Sequence, residues 1–376
     1  MLYILYAQYK PSTAPTNRAM AFFKRLSEQG KEAHVLYFIP DANRAIVKDP
    51  FPGITFEYLW ERNYIDFPVL RYISYFSCIY ALKKRLREGD MIYVYAKADL
   101  MRFFVGKKGI KVYYEITEHP EVHPPYGIAK KWALRDFFYH CRKLDGLFVI
   151  SKGLETYFTA QGVSNDKIVL FNMIADETRF VGIEKKETEK KSIVFCGSLK
   201  NSIDGVDELI RAFAIVSPHF PEVNLLIFAR IDKESKDYHD CAKIINEYDL
   251  GNRVCFEGLV PYNEVPQRLK DATILALDRP DCLQAKYGFP TKLGEYLLSG
   301  NPVVVTSVGD ISLYLEDMKT ALIAVPNSPE AFANKLIWAL NNPEEANVIG
   351  QRGRRVAMEQ FNFRVEVDKV IKFLKL

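Results

Sequence analysis

Residues 287–306 read YGFPTKLGEYLLSGNPVVVT, and their spacing predicts a short loop, a helix and a buried strand. Pro290 suits a first helical turn, where its missing N–H is not needed. Gly300 falls just past the last helical residue and Pro302 prevents continuation. Val303, Val304 and Val305 form the apolar β-branched run of a central parallel strand. Lys292 is the odd residue, because a cation in the first turn opposes the helix dipole. It fits there if an anion sits at the helix start, where free backbone N–H groups already favour one. Glu295, three residues on, lies on the same side, and a carboxylate beside a phosphate site can accept hydrogen bonds from ribose hydroxyls. The plainer alternative is an i,i+3 ion pair between Lys292 and Glu295, worth ~0.3 kcal/mol. Spacing alone leaves both open.

Working outward, the chain has 376 residues, 48% hydrophobic and 26% charged. That is enough for two ordinary globular domains. No run of eighteen apolar residues occurs, so no spanning helix is expected. The start, MLYILYAQYKPSTAP, reads as a first strand and not as a signal peptide. The six cysteines are scattered without a C-x-x-C; neither a disulfide framework nor a zinc site is expected, and a reducing cytoplasm fits. Residues 1–191 carry 30 Lys+Arg against 22 Asp+Glu, so the +4 overall divides into +8 there and −4 beyond. A basic first half suggests an anionic surface or acceptor, with solubility alone as the alternative.

Strands and helices alternate along both halves, which predicts parallel sheets. In the first half the expected strands are 2–8, AHVLYFI, MIYVYA, KVYYEI and GLFVIS, with Lys152 and Gly153 opening a helix. Residues 64–88 are aromatic, then basic. Tyr72, Phe76, Ile79 and Leu86 fall at helical spacings ahead of Lys83, Lys84, Arg85 and Arg87. They read either as a surface helix touching lipid or as a core helix ending in a charged turn. The loop TEHPEVHPPYG follows a strand, at the end where open parallel sheets bind ligands. His119 and His123 have i,i+4 spacing, but Pro120 and Pro124 argue against a metal-binding helix. A charged run, IEKKETEKK, reads as an exposed linker, and after it the pattern restarts with SIVFCG.

The stretch resembles the donor-nucleotide signature of glycosyltransferase family 4, the retaining GT-B sugar transferases, in its bacterial surface-polysaccharide branch, which carries F-P-T-K-L-x-E-Y. The resemblance implies two Rossmann-like α/β domains facing a cleft. These would be an acceptor-binding domain over 1–183, a donor-binding domain over 184–358, and a helix over 359–376 crossing back to the first. Glu295 matches the Glu that holds the donor ribose; Tyr287 stands where the family has its first Glu. RVCFEGLVPYNEVPQRLKDA, KIVLFNMIADETRF with Asn172, Asp176 and Phe180, and Gly197-x-Leu199 with Gly205 also match. Asp204 stands where the family has a phosphate-binding Lys, and Ser198 at an often basic position; Lys200 and Arg230 are the nearest substitutes.

By resemblance the donor site comprises Gly197, Lys200, Arg230, Gly258, Leu259, Tyr287, Gly288, Phe289, Pro290, Thr291, Lys292 and Glu295, with Glu257 beside the base. Glu118, His119 and Lys292 are the catalytic candidates. Ser12, Thr13 and Ala14 match an acceptor loop by position only; Thr13 and Arg18 are the acceptor-side candidates.

No D-x-D occurs, so the implied reaction needs no metal or other cofactor. It takes a nucleotide sugar, UDP being the commonest in the family, and a glycan or polyprenyl-diphosphate-linked acceptor. Cytoplasmic placement, with peripheral contact on an anionic membrane, and no nucleic acid, complete the expectation. A same-fold epimerase or hydrolase and a non-catalytic nucleotide-sugar binding protein are the alternatives. A Rossmann dehydrogenase is disfavoured because no G-x-G-x-x-G follows a strand.

Overall fold

The computed structural model describes residues 1–7, 9–10, 13–38, 51–59, 68–95, 97–124, 131–186 and 191–376. Ser12, residues 64–67, the side chain of Tyr72, residues 125–127 of the histidine loop and residues 187–190 of the charged run lie outside the described residues.

Two compact units emerge, 1–172 with 366–376, and 173–365. In the first, the strands are β1 (Leu2–Tyr6), β2 (Ala33–Tyr37), β3 (Ile54–Tyr58), β4 (Met91–Tyr95), β5 (Lys111–Ile116), β6 (Gly146–Val149) and β7 (Ile168–Leu170). They form one sheet in the order β3-β2-β1-β4-β5-β6-β7, every pair parallel. The second unit holds β8 (Ser192–Cys196), β9 (Asn224–Phe228), β10 (Val254–Phe256), β11 (Ile274–Leu277), β12 (Val303–Thr306) and β13 (Leu322–Ala324). Its sheet runs β10-β9-β8-β11-β12-β13, again all parallel. These are two Rossmann-like parallel sheets, as the alternation of the sequence predicts.

Burial follows from sequence pattern. β6, β11 and β12 are buried at every residue, as strands covered on both faces must be. β3 instead alternates, with Ile54 buried and Thr55 and Glu57 turned outward, the habit of an edge strand. The helix Val206–Val216 buries Val206, Leu209, Ile210, Ala212, Phe213 and Val216 on one stripe. Full burial of each larger side chain there stabilises by ~1.5–3 kcal/mol.

The last helix, Phe363–Leu374, lies from Glu366 onward in the first unit. Arg25 donates from Nε and Nη2 to Asp368 at 2.8 and 2.6 Å. Fully buried Glu366 accepts the Asn172 N–H at 2.8 Å. A Cβ on Gly146 would sit 2.4 Å from the Phe373 ring, so the glycine opening β6 makes room for that helix. The sequence places domain changes at 183/184 and 358/359; the compact units change at 172/173 and 365/366. The segment after Asn172 packs with the second unit. There Ala175 receives a hydrogen bond from Phe363 N–H and donates one to the Phe361 carbonyl.

The helix Pro68–Arg85 presents faces different from those expected. Ile79 is buried, with Cys78 and Leu82, while Phe76 belongs to an outward stripe with Val69, Ile73 and Tyr80, all more than half exposed.

Candidate functional site

The second sheet reverses its strand order between β8 and β11. In such sheets the crevice beyond the strand C-termini at that reversal is where ligands bind. Gly197 follows β8 directly, Arg230 follows β9, and Gly258 and Leu259 follow β10. The helix Thr291–Ser299 starts with Pro290 as its cap residue and no side chain closing its first N–H groups. Its end is set by Gly300 in the left-handed region, as the sequence requires.

Lys292 lies over the loop after β8. A Cβ built on Gly197 would fall 2.5 Å from the Lys292 Nζ, so a side chain there would push the ammonium from this position. The partner of Lys292 is not Glu295. Its Nζ is 2.6 Å from Oδ1 of buried Asp204, whose Oδ2 accepts the Ser198 hydroxyl at 2.6 Å. The Phe195 ring centroid is 5.1 Å from Nζ. Burial pulls the Lys292 pKa below its ordinary value; Asp204 opposes this, while Arg279 acts with the burial. Glu295 is paired with Arg179, which also donates to the Tyr262 carbonyl at 2.6 Å and lies 3.6 Å over the Tyr262 ring. The i,i+3 pair offered as the plainer alternative is therefore replaced by two long-range ion pairs. Glu295 holds Arg179 through Oε1.

Around the same reversal stands a group that spacing did not single out. Asp278 follows β11, is buried, and its Oδ2 has no hydrogen-bond partner among the described residues. Burial, with Glu208 and Asp207 adding to it, pushes its carboxyl up to about 8. Buried Arg279 donates from Nε to the Ile203 carbonyl at 3.2 Å. Gly205, at φ +60°, lies against this segment: a Cβ there would meet the Asp278 carbonyl oxygen at 1.7 Å.

Lys200 and Arg230 are exposed. Leu259 is exposed too and helps line a pocket of about 240 Å³ with Leu226, Phe228, Glu257, Pro261 and Arg268. Gly258, beside it, takes a φ of +81°. Tyr287 ends the short helix Leu283–Tyr287, and the Gly288 N–H donates to the Gln284 carbonyl at 2.8 Å. Phe289 is buried against Tyr314 and Phe361, with centroids 5.7 and 5.4 Å away. Its side chain is thus committed to packing. Thr291 opens the Lys292 helix.

The family described as Glycosyl transferases group 1 matches residues 176–356, the span that carries this arrangement. Residues 176–356 belong to that family. The chain is 22% identical to an uncharacterized glycosyltransferase of Methanocaldococcus jannaschii over 62% of its own length and 59% of the relative's; it thus spans less than two thirds of that curated relative. Among solved structures it resembles the sucrose-phosphate synthase of Thermosynechococcus elongatus, with a TM-score of 0.79, 16% identity, and 100% and 98% of the two chains covered. It also resembles HepE of Anabaena in complex with UDP, with a TM-score of 0.78, 16% identity, and 100% and 99% covered. At such identities these likenesses establish the fold.

The first-unit candidates fall in two places. Glu118 and His119 follow β5. His119 is buried, its Nδ1 accepts the Glu121 N–H at 3.2 Å, and its ring lies 4.3 Å from that of Tyr157. Burial holds its pKa below the ordinary value, with Glu121 opposing, which favours a neutral ring with Nε2 as the donor. Thr13 stands at the N-cap position of the helix Ala14–Glu28 without a side-chain capping bond, its hydroxyl donating instead to the Lys10 carbonyl at 2.9 Å. Arg18 is buried inside the unit. Its Nε is 2.5 Å from Glu115, Nη2 donates to the Phe171 carbonyl at 2.8 Å, and Nη1 donates to the Asn172 carbonyl. Its donors are directed at protein acceptors.

Proposed function

We propose that this chain transfers a sugar from a nucleoside-diphosphate donor, UDP-sugar foremost, to a hydroxyl of a glycan or polyprenyl-diphosphate-linked acceptor, with retention at the anomeric carbon. The observation that carries the reading is the Lys292 ammonium held over Gly197 beside an uncapped helix start, at the strand-order reversal of the second sheet. The diphosphate takes this place, where backbone N–H groups and a cation converge. The base takes the pocket beyond β9 and β10. β10 lies two strand spacings from β8, ~10 Å, which is the scale separating a base from its diphosphate. Glu295 offers Oε2 to a ribose hydroxyl while Arg179 holds Oε1. HepE of Anabaena is known with UDP-glucose, which supports uridine as the nucleoside.

In the reaction the bond from the anomeric carbon to the diphosphate oxygen breaks as the acceptor hydroxyl adds on the same face. Its proton passes to the departing oxygen. Negative charge grows on the leaving diphosphate, and Lys292 with the helix N–H groups stabilises it there. Glu118 and neutral His119, after β5, are assigned to the sugar side. Thr13 is assigned to the acceptor loop. Titration of the protein with UDP followed by its melting temperature tests the site. A rise is expected that persists in EDTA. No rise, or a rise that appears only with added magnesium, would contradict the assignment.

The acceptor side of the proposal includes contact with an anionic membrane. The helix Pro68–Arg85 contains no Asp or Glu. Its outward stripe, Val69, Ile73, Phe76 and Tyr80, runs toward exposed Lys83 and Lys84, and Lys84 Nζ is 4.5 Å from the Tyr80 ring centroid. An apolar face bordered by lysines suits a lipid interface. No helix among the described residues is long and apolar enough to cross a membrane. Vesicles of phosphatidylglycerol should co-sediment the protein, less so as salt rises, and Phe76→Ser with Tyr80→Ser should abolish most of the binding. Equal sedimentation of the variant would rule this face out.

A further inference from the structure

We propose that Asp204 is a positioning residue that fixes the Lys292 ammonium over Gly197 and keeps it protonated. The proposal rests on the donor-site reading above and extends it to a residue that, by sequence, reverses the charge expected at its position. A lysine there would add a cation to the diphosphate site; an aspartate removes that cation and introduces an anion. The structure shows what the anion does. Asp204 is 4% exposed, and both of its oxygens are used, Oδ1 by Lys292 and Oδ2 by the Ser198 hydroxyl.

The carboxylate is itself held in place. Asp204 ends the short helix Asn201–Asp204, and its N–H donates to the Lys200 carbonyl at 2.7 Å. The next residue, Gly205, is in the left-handed conformation and sits so close to the Asp278 carbonyl that no side chain fits. A carboxylate fixed in this way fixes the ammonium that it binds. Lys292 has three N–H donors; one serves Asp204, and the Phe195 ring lies 5.1 Å from Nζ. No further partner of Nζ is seen among the described residues, which leaves its remaining donors to a ligand anion above Gly197.

Charge state follows from the same geometry. The groups acting on Lys292 are Asp204, Arg279 and Cys196. Burial and Arg279 both favour loss of its proton. The Cys196 thiol is itself pushed up to about 11 by burial, so it is neutral at neutral pH and supplies no counter-charge. Asp204 is the anion that offsets both. A lone buried lysine would titrate toward neutrality and lose the charge that the leaving diphosphate needs.

The test is Asp204→Asn, which keeps the shape and removes the charge. Two quantities are read: the Lys292 titration midpoint, by carbon NMR of its ε-methylene, and the pH dependence of UDP affinity. An opposite charge at this range shifts a midpoint by ~1–3 units, so the Lys292 midpoint should fall by about one unit or more. The alkaline loss of UDP affinity should move down with it. Ser198→Ala, which removes one hold on the carboxylate, should produce a smaller shift in the same direction and provides the test should Asp204→Asn fold poorly. An unmoved midpoint, with UDP affinity intact in both proteins, would overturn the role of Asp204. A midpoint that falls in Asp204→Asn while the unsubstituted protein itself binds no UDP would overturn the donor-site reading and leave the Asp204–Lys292 coupling standing.

Discussion

Lys292→Met should weaken binding of UDP by roughly 10- to 150-fold while changing affinity for uridine little, because one charge-assisted hydrogen bond to the diphosphate is worth roughly 1.5–3 kcal/mol. Turnover should fall by at least as much, since negative charge at the diphosphate is greatest as the sugar departs. The ion pair with Asp204 adds a consequence. Removing Lys292 leaves a buried carboxylate unpaired, which destabilises by ~3–5 kcal/mol when the charge cannot be relieved. Lys292→Met with Asp204→Asn should therefore regain melting temperature without regaining UDP affinity, which separates the fold from the site. Glu295→Gln should behave differently in kind. It keeps its shape and its place beside Arg179, but weakens the acceptor offered to ribose, so uridine and UDP should lose affinity alike. Calorimetry with both ligands on the three proteins decides the matter. Unchanged UDP affinity in folded Lys292→Met would remove the cation from the donor site.

Much of this arrangement was legible in the sequence, and the reason is local. A helix with Pro290 before it, Gly300 after it and three valines beyond has few other ways to fold, and an out-of-place lysine at its start calls for an anion, which in the structure is the Asp204 carboxylate. The partners were not legible. Asp204 reads by spacing as an acidic residue favouring the next helix start, yet its charge is spent on Lys292, 88 positions away. Arg179 reaches Glu295 across 116 positions. Nothing in a 3.6-residue period encodes contacts made when separate strands of a parallel sheet bring their C-terminal loops together. Asp278 and Arg279 were passed over because they follow an apolar strand in what looks like an ordinary loop; only burial makes the first a raised, unpartnered carboxyl. β3 and the helix Lys131–Cys141 were also unread. The first is a five-residue edge strand, and the second carries aromatics at positions that suit either class. On Pro68–Arg85 the helical period was visible but its core-facing side was not, since aromatic residues lie on both faces.

Arg18→Leu should lower the stability of the first unit by ~3–5 kcal/mol, the range for leaving one member of a buried ion pair without its partner. Arg18 is 6% exposed and Glu115 4%. Burial acts against the guanidinium charge, but Glu115, with Tyr93 and Tyr95 contributing, carries its pKa above the ordinary value. The same guanidinium lies 4.0 Å over the Phe171 ring and satisfies two carbonyls at the end of the first unit's chain, Phe171 and Asn172. Glu115 also accepts the Tyr93 hydroxyl. Leucine fills part of the space, yet leaves a carboxylate and two carbonyls without their donor. For a unit of this size each 1 kcal/mol moves the melting temperature by ~2–4 °C, so a fall of roughly 6–20 °C is expected. Glu115→Gln in the same chain should recover part of it, because the remaining group is then neutral. Had Arg18 been an acceptor contact at the surface, as the start of a helix beside a loop suggests, Arg18→Leu would melt like the parent and lose only turnover. Melting curves of the three proteins, read beside UDP affinity, distinguish these outcomes: a buried strut lowers the first unit's transition while the second unit still binds nucleotide.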